Sequence, residues 1–168
     1  MGDRDIHNIH PIYRHTVDVC KLHNLPFTVK EDLGSMETAI QFKEEYFSHP
    51  PFSEDWETNP EIVCPDVIIL YNDNVMGIIE YEEKTGNRKS GARMARKGHG
   101  HEGDYDTKKD SRRNEHYETS KIPLHRIWES RFKKSNIWKI ALTDFIFECY
   151  RKTLNDLMKM YQGIPNLE

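Results

Sequence analysis

The sequence predicts an α/β (α+β) domain in which helices flank a central mixed β-sheet. Two short runs rich in β-branched residues, 66–71 (DVIILY) and 75–82 (VMGIIEYE), stand on either side of Asn72, Asp73 and Asn74. Asn and Asp tolerate left-handed turn geometry, so the two runs form a tight antiparallel hairpin. Both runs are apolar on both faces, which puts the hairpin inside a sheet covered by helices. Residues 135–161 carry Ile137, Ile140, Ala141, Phe145, Cys149, Leu154, Leu157 and Met158 at near-helical spacing, the apolar stripe of a helix packed on a core.

In chain order, residues 1–34 are expected to form a polar N-terminal tail or peripheral segment. Residues 1–15 are rich in His and Asn, and 16–23 (TVDVCKLH) suit a short helix or strand. Asn24, Pro26 and Gly34 punctuate the stretch from 24 to 34. Ser35 is a candidate N-cap for a helix over 36–48, with Met36, Ala39, Ile40 and Phe47 on one side. The prolines of SHPPFSEDWETNPE end that helix, and the hairpin comes next. Residues 84–105 are rich in glycine and almost free of apolar residues, so a loop is expected. A polar helix is expected over 105–119, with charges available at i,i+4. A short strand is expected over 122–128 (IPLHRIW), and the helix at 135–161 completes a single domain spanning 35–162. No internal repeat is visible.

Composition limits the functions open to the chain. Of 168 residues, 36% are hydrophobic and 31% charged, and the formal net charge of −4 argues against a generally basic, histone-like binder. Cys20, Cys64 and Cys149 form no CxxC pair and no disulfide framework, so a reducing, intracellular setting is expected. Cys20 with His23 and nearby His15 is either half a zinc site or a half-buried thiol beside surface histidines. No second Cys/His pair stands at finger spacing. No stretch approaches the length of a membrane span, and the N-terminus lacks the apolar segment of a signal peptide.

The chemistry concentrates at one end of the hairpin. Asp66 begins the first strand; Glu80 ends the second, with Glu82 beyond it. Residues two apart on a strand share a face, so Glu80, Glu82 and Lys84 can project together. The start of one antiparallel strand lies beside the end of the next, which brings Asp66 to the same place. A carboxylate cluster is costly without positive charge in it, and Mg²⁺ suits carboxylates plus water and phosphate oxygens. Glu80 also comes after Ile78 and Ile79 in a strand expected to be buried, where a glutamate needs a partner or a metal.

Pro65 and Asp66, the hairpin, then Glu82, Glu83 and Lys84 resemble the signature of the PD-(D/E)XK nuclease superfamily. A second stretch is similar to its very-short-patch-repair endonucleases and their homing-endonuclease relatives. It runs through Asp110, Arg113, Asn114 and Tyr117 and then IPLHRIWE at 122–129, resembling a D-x-x-R-N-x-x-L helix and then a strand ending R-[IFV]-W-E. The likeness covers about residues 35–132. It implies a restriction-endonuclease-like core, a Mg²⁺-dependent activity (Mn²⁺ substituting) on DNA phosphodiester bonds, and metal ligation by Asp66, Glu80 and Glu82. Which glutamate is the main second ligand stays open. Glu80-Tyr81-Glu82 fits the relatives' E-x-D form, whereas Lys84 fits the superfamily signature. The likeness further implies a catalytic glutamate on the helix before the hairpin, for which Glu37 matches best and Glu44 second. It gives Asp110 the orienting of a histidine or water, and Arg113 the holding of Glu129 or a phosphate. The relatives' D-G-x-x-H run is absent here, and His99 and His101 lie far along the loop.

Lys84, Arg88, Lys89, Arg93, Arg96 and Lys97 fall in one glycine-rich segment with no acid between Lys84 and Glu102. Directly after the carboxylates, such a segment suits contact with DNA phosphates, and ordering on binding. DNA is therefore the expected partner, and a double-strand cut from one site per chain would call for a homodimer. Two other readings remain: a catalytically inactive nucleic-acid-binding protein on a nuclease scaffold, and an interaction protein using the acidic N-terminal half.

Overall fold

The computed structural model describes residues 3–31, 41–47, 65–82, 117–132 and 134–163. Strands β1 (Thr28–Glu31), β2 (Val67–Tyr71), β3 (Asn74–Glu82) and β4 (Leu124–Trp128) form one sheet in the order β1-β2-β3-β4. The first three are antiparallel neighbours, and β4 runs parallel to β3. Helices α1 (Asp3–Leu22), α2 (Glu129–Phe132) and α3 (Ile137–Gln162) complete an α+β arrangement with a mixed, open sheet.

The hairpin forms as its sequence expects. Asn72 and Asp73 take φ of 47° and 63°, left-handed values that these short polar side chains tolerate. The Asn74 side-chain amide donates to the Asn72 carbonyl at 3.0 Å and closes the turn. Val67 lies opposite Ile79 and Ile69 opposite Gly77, with a register shift between Ile69 and Leu70.

Both faces of the hairpin are covered, which explains its unbroken apolar runs. On one face Val67, Ile69, Ile79, Tyr81 and Ile127 pack with Ile9 and Ile12 of α1 and Leu142, Phe145, Ile146 and Cys149 of α3. On the other, Ile68, Leu70, Val75 and Ile78 pack with Phe42, with Tyr46 and Phe47 of a π-helical turn (Lys43–Phe47), and with Tyr117. At Gly77 the sheet and α3 come close: a Cβ there would lie 2.6 Å from the Cys149 thiol sulfur.

Three expectations are corrected. Residues 1–34 are not a polar peripheral segment, because they carry α1 and β1. Ile9, Ile12, Val19 and Cys20 are buried in the core at helical spacing. Pro11 removes one N–H from the ladder of α1, and burial of that stripe outweighs the loss. Residues 28–31 form an edge strand rather than part of a punctuated loop. The core stripe of α3 is Trp138, Leu142, Phe145, Ile146, Cys149 and Thr153, whereas Ile137, Ile140, Leu154 and Met158 are exposed. The buried set keeps the 3.6-residue period with the bulkier residues Trp138, Leu142 and Ile146, so it is the one turned to the sheet. Of the helix expected over 36–48, residues 41–47 are helical, ending in the π turn. Of that expected over 105–119, residues 117–119 are helical. The remainder of both lies outside the described residues, as does the loop expected over 84–105. No helix among the described residues is long and apolar enough to cross a membrane.

Candidate active site

Strand parity brings Asp66, Glu80 and Glu82 to one face of the sheet. Ile68 and Ile78 face the cluster around Tyr117, so Asp66, two places before Ile68, and Glu80 and Glu82, after Ile78, share that side. The pairing of Val67 with Ile79 puts Asp66, one step outward, level with Glu80. The Asp66 carboxylate bears out the proximity: its Oδ2 accepts the Tyr81 backbone N–H at 2.7 Å.

Glu80 is 2% exposed and Glu82 is 1% exposed. Two carboxylates this deep require polar partners, and the structure supplies them. The Tyr117 hydroxyl donates to Glu80 Oε1 at 3.1 Å. Arg126 Nη1 donates to Glu82 Oε1 in a part-buried ion pair. Arg126 stands beside Glu80 in the parallel pairing of β3 and β4, so its guanidinium rises on the carboxylate face. The arrangement is three carboxylates, one guanidinium and one phenol at the C-terminal ends of β3 and β4. Among the described residues, no group of three His, Cys, Asp or Glu side chains is gathered closely enough to hold a metal ion.

The structure thus unites Asp66, Glu80 and Glu82. Lys84, Glu37, Asp110 and Arg113 lie outside the described residues, as do Arg88, Lys89, Arg93, Arg96 and Lys97 of the basic segment. Arg126 was visible in the IPLHRIWE stretch, but its partner was not. Only the parallel register between β3 and β4 pairs it with Glu82. Tyr117 likewise reaches Glu80 through space, across 37 positions of sequence.

The histidines and cysteines serve packing. His15 Nε2 lies 2.9 Å from the Thr143 hydroxyl, and the His23 ring packs edge-on against Phe147. Cys20 is buried, its thiol pushed up to about 11 by desolvation, which is the opposite of a zinc ligand's environment. His125 pairs with Ile79 on the α3 side of the sheet and stacks on Phe145, away from the carboxylates.

No protein-family model, curated protein or solved structure matches the chain.

Proposed function

We propose that this chain is a metal-dependent DNA endonuclease, similar to the PD-(D/E)XK nucleases, with Asp66 and Glu80 as its metal ligands. The observation that carries the reading is the convergence of Asp66 and buried Glu80 on one face at the hairpin end. The donor set fits Mg²⁺, a hard cation usually bound through one or two carboxylates with water and phosphate filling the remaining positions. A cage of three protein ligands is therefore not required. When bound, Mg²⁺ supplies a Lewis acid that acidifies water and polarises the phosphate.

The chain's own residues orient and balance that site. The Tyr81 N–H fixes Asp66, and the Tyr117 hydroxyl fixes Glu80. Arg126 neutralises Glu82, which favours Glu80 as the second ligand and leaves Glu82 as the anchor of β4. Lys84, two places beyond Glu82 in sequence, is assigned to charge on the phosphorus. Arg88, Lys89, Arg93, Arg96, Lys97 and Arg113 are assigned to the DNA backbone. Glu37 and Asp110 keep the orienting roles that the resemblance implies. One copy would nick, and two would cut both strands.

A second reading, a binding protein without catalysis, is favoured by the Arg126–Glu82 pair, which balances one carboxylate with no metal present. Nicking of supercoiled plasmid across a Mg²⁺ titration separates them. Cutting that rises with Mg²⁺ and stops in EDTA supports the nuclease. No cutting of supercoiled, linear, mismatched or single-stranded DNA in Mg²⁺ or Mn²⁺ favours the binding protein.

A further inference from the structure

On the other side of the same sheet end, α1, α2 and the first turn of α3 enclose a cleft of about 440 Å³. Arg14 and Lys139 stand on its two helical walls, and Trp138 and Phe132 form its aromatic floor. The rings of Trp138 and Phe132 lie 4.9 Å apart, and the Lys139 ammonium sits 5.6 Å over the Trp138 ring. Among the described residues neither Arg14 nor Lys139 makes an ion pair, although Asp18 lines the same cleft. The cleft therefore carries two uncompensated cations against one carboxylate, beside the positive end of a 26-residue helix.

The walls are preorganised. The Thr143 hydroxyl donates to the Lys139 carbonyl at 2.7 Å, so its oxygen accepts from His15 Nε2 at 2.9 Å. That bond ties α1 to the first turn of α3 and holds the Arg14 and Lys139 backbones at fixed separation. A site whose walls are already set loses little order on binding an anion.

Position indicates what the anion belongs to. Phe132, on the cleft floor, also touches Tyr81 with ring centroids 5.5 Å apart, and Tyr81 lies between Glu80 and Glu82 in β3. Two ring contacts therefore join the carboxylate strand to the cleft. That is a span of roughly three nucleotide steps at ~3.4 Å per step.

We propose that the cleft between α1 and α3 binds a phosphate group through Arg14 and Lys139, and that the phosphate of a nucleic-acid backbone is its occupant. Asp18 accepts hydrogen bonds from hydroxyl or base amino groups next to that phosphate. Binding here needs no chemistry at Asp66, so the two proposals are tested separately.

The test uses the full chain in EDTA, with inorganic phosphate and a short labelled duplex as probes. The proteins are wild type, Arg14→Ala/Lys139→Ala, and Lys159→Ala as a charge control from the far end of α3. Phosphate is expected to shift the Trp138 indole N–H resonance, assigned with Trp138→Phe, in wild type and not in the double variant. Duplex affinity is expected to fall about tenfold or more in the double variant. The slope of log affinity against log salt should shrink by about 2, at ~0.9 per lost phosphate contact, with Lys159→Ala near wild type. A phosphate shift with unchanged duplex affinity supports the cleft with a free anion as its source. Absence of the shift together with unchanged duplex affinity and slope overturns the proposal. Asp66→Ala, which should stop cutting, should leave both binding signals in place.

Discussion

Arg126 and Glu82 form an ion pair between the parallel strands β3 and β4, with the glutamate 1% exposed and the arginine side chain 17% exposed. Removing the arginine alone leaves a carboxylate in the interior without its cation. Breaking a buried pair from one side costs about 3–5 kcal/mol. Arg126→Ala is expected to lower urea-unfolding stability by that order, and a loss under about 1 kcal/mol would show that Glu82 is held by other means.

Tyr117 offers a gentler perturbation of the same site. Tyr117→Phe keeps the buried ring and deletes the hydroxyl that donates to Glu80 Oε1. A hydrogen bond to a charged acceptor contributes about 1.5–3 kcal/mol, so a stability loss in that range is expected. If Glu80 is a metal ligand, its orienting partner matters to the metal as well. Calorimetric Mn²⁺ titration should then show affinity weakened about 10–100-fold, whereas a purely structural Glu80 leaves the metal titration unchanged.

The approach of α3 to the sheet makes a prediction about packing. In Gly77→Ala the new methyl meets the Cys149 sulfur, and overpacking of this kind costs about 1–3 kcal/mol. Adding Cys149→Ala removes the obstructing atom. The double variant should therefore lose less stability than the sum of the two single variants, and strict additivity would place the strain elsewhere.

Acid stability depends on two imidazoles. Burial lowers the His125 pKa below 6.5, against a smaller opposing effect of Glu148; burial also lowers that of His15, against a backbone bond from the Lys139 carbonyl. Both bind a proton more weakly folded than unfolded, so the unfolded chain takes up more protons as pH falls from about 6.5. Their contribution to stability is present above that pH and lost as pH falls through the folded values. The urea midpoint should drop on acidification through this window, and the drop should be smaller in His125→Phe. An equal drop in both proteins would assign the acid sensitivity to other groups.

How much of the fold and site was legible in the sequence depended on how local the signal was. The hairpin was legible because β-branched runs and an Asn-Asp-Asn turn specify it within seventeen residues, and Glu80 stood out as an acid among Ile78, Ile79 and Tyr81. Helix α1 was obscured by Pro11 and a polar composition, although Ile9, Ile12, Thr16, Val19 and Cys20 carry its period. Strand β1 has four residues at the sheet edge with alternating exposure, too short for a periodic pattern to declare itself. Arg126 and Tyr117 stood in the sequence but not as partners. Parallel strand register and the packing of a helix end on a sheet are set by the whole fold, not by spacing along the chain.

The central claim is that Asp66 takes part in metal-dependent cutting of DNA, and conversion of supercoiled plasmid by wild type and Asp66→Ala tests it most directly. Reactions in Mg²⁺, Mn²⁺ and EDTA are compared, with urea unfolding confirming that the variant is folded. The expected result is nicked or linear plasmid from wild type in either metal, none in EDTA, and none from the folded variant. Undiminished cutting by Asp66→Ala would contradict the assignment of the site to Asp66.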